Sequence, residues 1–260
     1  MKDSIKDFGS QFKQHDKIDN YWGSVDMLKD IVKPFDLNLI KNKIVSEIGI
    51  GSGRIIKNLA KFYPKKIYAV EPSDSIEVAK RNNQDSKIDI LYKKISGQNI
   101  NFNSEIDYIF SLGVLHHIPD PDKVCRNIYN SLKKGGKAII WLYGKENNFL
   151  YIIIFNNLRK ITKFLPDFLL NIISFLLNCF LSIYIFLCNF INLPLKKYIN
   201  EVLKKCSFKK RHYIIFDQLN PAYSKYYTRE EVKALLENSG FKKVEIFNRH
   251  NYSWTAIAEK

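Results

Sequence analysis

Bare backbone, a well-spaced carboxylate and a pair of imidazoles are the chemically equipped parts of this sequence. The run Glu47-Ile48-Gly49-Ile50-Gly51-Ser52-Gly53 follows the apolar approach Lys43-Ile44-Val45. Alternate glycines remove the side chains that would hold a ligand off, so N–H groups at a helix start can face a polar or anionic group. About 20 residues on, where a βαβ unit places its ribose-binding carboxylate, Glu71 ends the stretch Lys66-Ile67-Tyr68-Ala69-Val70. One carboxylate can accept from two hydroxyls at once. His116 and His117 are adjacent imidazoles, either able to take a proton from an acceptor at neutral pH, with His117 the first candidate. Asp217, Tyr223 and Tyr227 gather one acid and hydrogen-bonding aromatics that could orient an acceptor, and His250 could approach the same mouth.

Spacing separates the cofactor classes. A Gly-x-Gly-x-x-Gly fingerprint begun at Gly49 would need glycine at position 54, where Arg54 stands, and no Lys-Ser/Thr pair follows to make a phosphate loop. A cofactor loop of acidic-x-Gly-x-Gly-x-Gly form is left.

These residues need elements to hold them. The sequence predicts a helix over 55–62 after the glycine turn, a helix over 75–82, strands over 87–92 and 105–111, and a helix over 125–132 stopped by Lys133-Lys134-Gly135-Gly136. A fifth strand follows over 137–142. Thr228-Arg229-Glu230-Glu231 has the spacing of a capping box before a helix to Asn238, and 242–248 with 253–258 read as a closing hairpin. The pattern is that of an α/β fold: a Rossmann-like doubly wound sheet of seven strands with a helical insertion after strand five. In such sheets ligands sit at the carboxyl ends of the strands, so the glycine turn, Glu71 and the loop after strand four share one crevice.

The stretch Glu47 to Gly53, the Leu115-His116-His117 segment and Leu132-Lys133-Lys134-Gly135-Gly136 resemble the class I S-adenosylmethionine-dependent methyltransferases, of the small-molecule, type 11/12-like kind. The resemblance covers residues 43–142 and 228–260. It implies S-adenosyl-L-methionine as cofactor, with Glu47, Gly49, Gly51, Gly53, Glu71, Gln98 and Ser111 around it. The family usually places an acidic residue near the adenine amino group, where this chain has Ser96-Gly97-Gln98-Asn99; an amide oxygen of Gln98 or Asn99 would have to accept instead. The resemblance also puts His116 and His117 beside the transferable methyl group. His116, His117 and Asp217 are the catalytic candidates, and Tyr223, Tyr227 and His250 the acceptor-binding ones.

The chain then divides into a helical cap (1–42), the cofactor-binding core (43–142), an apolar helical insertion (143–227) and the last helix and hairpin (228–260). Tyr21 and Trp22 in the cap either wall the site or pack. Between Phe168 and Leu195 there is no charged residue, which is long enough to span a bilayer. Topology opposes a span, because strands six and seven must rejoin the sheet that strands one to five begin. Asn171, Ser174, Asn178, Ser182, Asn189 and Asn192 recur at helical spacing and read as one polar stripe. Two readings stand: a lid packed on the protein, or a helix in a membrane interface with Arg159, Lys160, Lys163, Lys196 and Lys197 toward anionic headgroups.

The net charge of +15 comes from 41 Lys and Arg against 26 Asp and Glu, spread along the chain rather than gathered in one basic block. The four cysteines are scattered and show no zinc spacing, so reduced thiols, no metal and a cytoplasmic setting are expected, with the inner membrane face as a second location. The start lacks the apolar run of a signal peptide. Because no aromatic-proline tetrapeptide for a flipped base follows strand four, the expected acceptor is a small or lipid-linked molecule and no nucleic acid, with peripheral membrane contact. A non-catalytic cofactor-binding or membrane-docking partner is the alternative.

Overall fold

The computed structural model describes residues 23–260 except 163, 221 and 222. Tyr21 and Trp22 lie outside the described residues. Strands β1 (Ile44–Ile48), β2 (Lys66–Val70), β3 (Asp89–Lys93), β4 (Ile106–Leu112), β5 (Leu132–Tyr143), β6 (Lys243–Arg249) and β7 (Ser253–Glu259) form one sheet in the order β3-β2-β1-β4-β5-β7-β6. Neighbours among β1 to β5 pair in parallel, and β7 runs antiparallel to both β5 and β6. The order reverses between β1 and β4, which opens the crevice expected at a switch point. Helices α1 (Val25–Val32), α2 (Arg54–Leu59) and α3 (Ser75–Asn82) cover one face through Leu28, Ile56 and Ile76. Helices α4 (Pro121–Ser131) and α9 (Arg229–Glu237) cover the other through Val124, Ile128 and Leu235. The Thr228–Glu231 capping box forms as its spacing predicts.

One boundary differs. The helix before β5 ends at Ser131, and Gly135-Gly136 lies inside the strand, not after a helix. A Cβ on Gly136 would stand 3.0 Å from the carbonyl of Asp107. The glycine therefore serves a close approach between strands rather than a helix stop.

Between β5 and α9 the chain forms α5 (Phe149–Thr162), α6 (Asp167–Leu187), α7 (Lys196–Glu201) and α8 (Phe208–Leu219). α6 packs on α8 through Leu170 against Ile215, Phe216 and Leu219. The predicted polar stripe does not hold together. Ser174 and Asn178 are fully buried, with Asn178 Nδ2 donating to the Phe208 carbonyl at 2.8 Å, while Asn171, Asn189 and Asn192 are exposed.

Candidate active site

A cavity of about 690 Å³ runs from the glycine turn to the insertion, lined by Glu47, Gly49, Gly51 and Glu71 at one end and by Tyr143, Tyr151, Tyr198, Tyr223 and Tyr226 at the other. Such volumes are typical of small-molecule and cofactor sites. At the glycine turn, Gly49 (φ +80°) receives its sharp bend from two bonds onto one acceptor: Gly49 N and Ile50 N both donate to Val70 O, at 2.8 and 3.2 Å. A Cβ on Gly49 would come within 2.4 Å of Val114 Cγ2. Gly49→Ala is therefore expected to cost about 1–3 kcal/mol, read as a drop in thermal midpoint, and Val114→Ala should recover only the steric part, since the φ strain stays.

Glu71 is fixed rather than solvated. Its Oε1 accepts from Ser73 N at 3.0 Å and Ser73 Oγ at 2.7 Å, and its Oε2 from Gly51 N at 3.0 Å. The carboxylate is thus held at the cavity wall with lone pairs left for ribose hydroxyls. Glu47 is fully enclosed, and its Oε2 has no partner among the described residues. Desolvation holds its carboxyl well above the usual range, with the Arg54 guanidinium pulling the other way. A buried, under-satisfied carboxylate on a cavity wall is matched by a ligand cation, and the ammonium of S-adenosylmethionine supplies one. Gln98 lies on the wall, its Nε2 donating to Asp120 O at 3.4 Å, which leaves the amide oxygen to accept from an adenine amino group. Asn99 is exposed and off the wall.

The remaining cofactor candidates are placed differently. Gly53 does not line the cavity; a Cβ there would meet Asn83 Nδ2 at 2.6 Å and Ala79 Cβ at 2.9 Å, so it permits the packing of α2 on α3. Ser111 is fully buried within β4, off the wall, and its hydroxyl has no partner among the described residues.

At the other end the two histidines part. They sit in a 3₁₀ turn over Leu115–His117, where adjacent side chains point about a third of a turn apart. His117 reaches the cavity, and its Nδ1 lies 3.0 Å from Tyr223 O. A carbonyl only accepts, so Nδ1 carries the proton and Nε2 is the basic nitrogen. Burial holds the His117 pKa below 6.5, opposed by the bond to Tyr223 and by Asp217. His116 turns inward, is fully buried and stacks on Tyr143 with ring centroids 3.7 Å apart. Burial, then His117 and Arg159, keep its pKa well below 6.5, and neither nitrogen has a partner among the described residues. A ring so enclosed supports Tyr143 and does not meet an acceptor.

Tyr143 ends β5 at the ligand edge of the sheet, a position the sequence reading passed over. Its hydroxyl accepts from Gln218 Nε2 at 2.8 Å, and Gln218 is held by the buried Arg159, which donates to Gln218 O at 2.7 Å, to Gln218 Oε1 at 3.2 Å and to Tyr226 OH at 3.2 Å. A phenol that accepts one bond keeps its own proton for donation. Desolvation pushes the Tyr143 pKa up, so that proton stays on. Asp217 and Tyr223 line the cavity, and Tyr151, Tyr198, Tyr213 and Tyr226 join them.

Tyr227 does not reach it. Its backbone closes the edge of β5, N donating to Tyr143 O at 2.9 Å and O accepting from Trp254 Nε1 at 2.9 Å, with the ring in the core. His250 also stays off the wall. It bridges Asp30 of α1 (Nε2 to Oδ2, 2.7 Å) and Glu201 of α7, clasping the insertion to the core. The bond to Asp30, ahead of the charges of Asp30 and Glu201, raises the His250 pKa above 6.5 against its burial. A raised folded-state pKa gives stability that is complete below 6.5 and lost as pH rises through the raised value. His250→Ala is thus expected to destabilise by about 1.5–3 kcal/mol at pH 6 and by much less at pH 9, measured as urea midpoints at the two pH values. No cluster of three or more metal-ligating side chains occurs among the described residues.

Residues 46–140 match a family model described as a methyltransferase domain. Curated relatives include the tRNA U34 carboxymethyltransferases of Aliarcobacter butzleri, 31% identical over 126 residues (48% of this chain, 40% of that protein), and of Campylobacter fetus, 35% identical over 125 residues (47% and 43%). The chain thus spans less than half the length of these relatives. Among solved structures, a Thermotoga maritima S-adenosylmethionine-dependent methyltransferase, a possible histamine N-methyltransferase, superposes with TM-score 0.56 at 14% identity over 99% of this chain and all of that one. The Burkholderia thailandensis 1,6-didemethyltoxoflavin-N1-methyltransferase, with S-adenosylhomocysteine bound, gives 0.58 at 13% identity over 98% and 86%. These likenesses establish the fold. The tRNA-directed names of the curated relatives overturn the expectation of a small-molecule or lipid-linked acceptor without nucleic acid. One missing tetrapeptide was too narrow a test.

Proposed function

We propose that the protein, whose residues 46–140 match a methyltransferase-domain family model, transfers an alkyl group from a sulfonium donor such as S-adenosylmethionine to a base in RNA, with tRNA the first substrate to try. The observation that carries the proposal is the aromatic chamber continuous with the cofactor end of the cavity, where Tyr143, Tyr151, Tyr223 and Tyr226 offer faces and hydroxyls to a planar base lifted from its stack. The names of the curated relatives point the same way. A net charge of +15 favours a phosphate backbone at the mouth. Such a substrate places the reaction in the cytoplasm.

The sulfonium supplies an activated alkyl group, so the protein's part is alignment and proton handling. Glu71 and Glu47 hold the ribose and ammonium ends, and Gln98 the adenine. His117 Nε2 takes the acceptor's proton, Asp217 supports the resulting imidazolium, and the Tyr143 hydroxyl donates to an acceptor oxygen. Incubation of the full chain with labelled S-adenosylmethionine and unmodified total tRNA, followed by digestion and mass spectrometry, should place the label in one nucleoside, whose mass increment names the group transferred. Unlabelled tRNA from a preparation that binds S-adenosylhomocysteine would sink the proposal.

A further inference from the structure

Helix α6 is apolar on its outer face as well as on the face that packs against α8. On a helix packed against a soluble protein, apolar residues face the core and polar ones face water. In α6 the residues turned inward include Ser174 and Asn178, both fully buried, and Arg211 Nη2 reaches in to bond Ser182 Oγ at 3.3 Å. The outward face carries Phe168 (65% exposed), Ile172, Leu176, Phe180 (69%), Ile183 and Phe186 (61%). Phe164 and Phe190 extend it at either end, 78% and 73% exposed. At about 200 Å² per ring, those five phenylalanines alone present on the order of 700 Å². That exceeds the few hundred Å² of contiguous apolar patch usual on a monomer.

α6, at 21 residues, is long and apolar enough to cross a membrane. It cannot do so here. α8 lies along it from Phe208 to Leu219, and the chain returns to pair β7 with β5 from Tyr143–Ser253 to Lys137–Glu259. A helix backed by protein on one side and bare on the other lies in an interface. Charge selects the interface. Residues 149–216 hold ten Lys and Arg against two acids, Asp167 and Glu201. Lys160, Lys204, Lys205 and Lys209 are exposed on the helices and turns beside α6.

We infer that the exposed face of α6 docks the protein on an anionic phospholipid bilayer, its phenylalanines among the acyl chains and the flanking lysines at the headgroups. The inference stands on the insertion alone and does not depend on the acceptor. Leu195, Tyr198, Lys210 and Ile214 belong both to this insertion and to the cavity wall, so the docking element and the site share structure.

Flotation of the full chain with phosphatidylglycerol–phosphatidylcholine vesicles tests it. The protein should rise with these vesicles, rise less in high salt, and stay behind with phosphatidylcholine alone. Phe180→Ser with Phe186→Ser should lower the partition at least tenfold with unchanged S-adenosylhomocysteine affinity and helix content, which separates lost docking from lost folding. Three results would overturn it: no flotation with anionic vesicles, flotation indifferent to the two substitutions, or a concentration-dependent dimer that the substitutions dissociate and that ignores vesicles.

Discussion

Glu71→Ala should weaken S-adenosylhomocysteine binding about 100-fold, the equivalent of about 3 kcal/mol, in isothermal titration. Hydrogen bonds to a charged acceptor contribute about 1.5–3 kcal/mol each, and on the proposed reading two ribose hydroxyls would meet the Glu71 carboxylate. Two such bonds at the lower end of that range already give about 3 kcal/mol, and the preorganisation seen here supports at least that much. Ser73 N, Ser73 Oγ and Gly51 N hold both oxygens before a ligand arrives, so little side-chain freedom is left to lose on binding. Because the same carboxylate restrains Gly51, the alanine variant also loosens the glycine turn. Glu71→Gln separates the two roles: it retains one acceptor but loses the charge, and a loss of about tenfold is expected. Ser73→Ala, which leaves the carboxylate and removes one of its supports, should cost less than either. Wild-type affinity in both Glu71 variants would remove the ribose from this position.

The cofactor end of the site was legible because its determinants are local. A glycine needed for φ +80° and a carboxylate closing the next strand leave their signature within 25 residues, from Glu47 to Glu71. All seven strands fall within a few residues of where alternation and β-branching put them, except that β5 begins at Leu132. The acceptor end was legible only in part, because it is assembled from distant pieces. Tyr143 leaves β5, Tyr151 and Arg159 come from α5, Tyr198 from α7, Gln218 from α8 and Tyr226 from the segment that leads into α9. Nothing local distinguishes these tyrosines from packing. One signal was available: a hydrogen-bonding aromatic at the carboxyl end of a parallel strand, the edge where ligands sit. The polar stripe of α6 failed for a related reason. Periodicity shows that Ser174 and Asn178 share a face, but only the packing partner decides whether that face meets water or protein, and α8 met it first.

Removing the His117 imidazole as His117→Gln should lower kcat by about 10²–10⁴-fold, while S-adenosylhomocysteine affinity stays within about twofold, since His117 stands at the acceptor end of the cavity. The pH profile carries the sharper test. Burial lowers the His117 pKa, so the basic form persists below pH 6.5 and the acid limb of kcat should fall beneath that of an exposed histidine. Asp217 raises that pKa, which fixes the sign for its variant. In Asp217→Asn the imidazolium loses its counter-charge, the His117 pKa drops further and the acid limb moves to lower pH, while the plateau falls because the proton is held less strongly once taken. A purely structural Asp217 would lower the plateau without moving the limb. Tyr143→Phe should affect the plateau alone, reducing it by about tenfold or more with the limb in place, because it removes a donor and no charge. If His117→Gln keeps its rate at pH 7 with tRNA as acceptor, the proton leaves by another route, and the site acts by alignment alone.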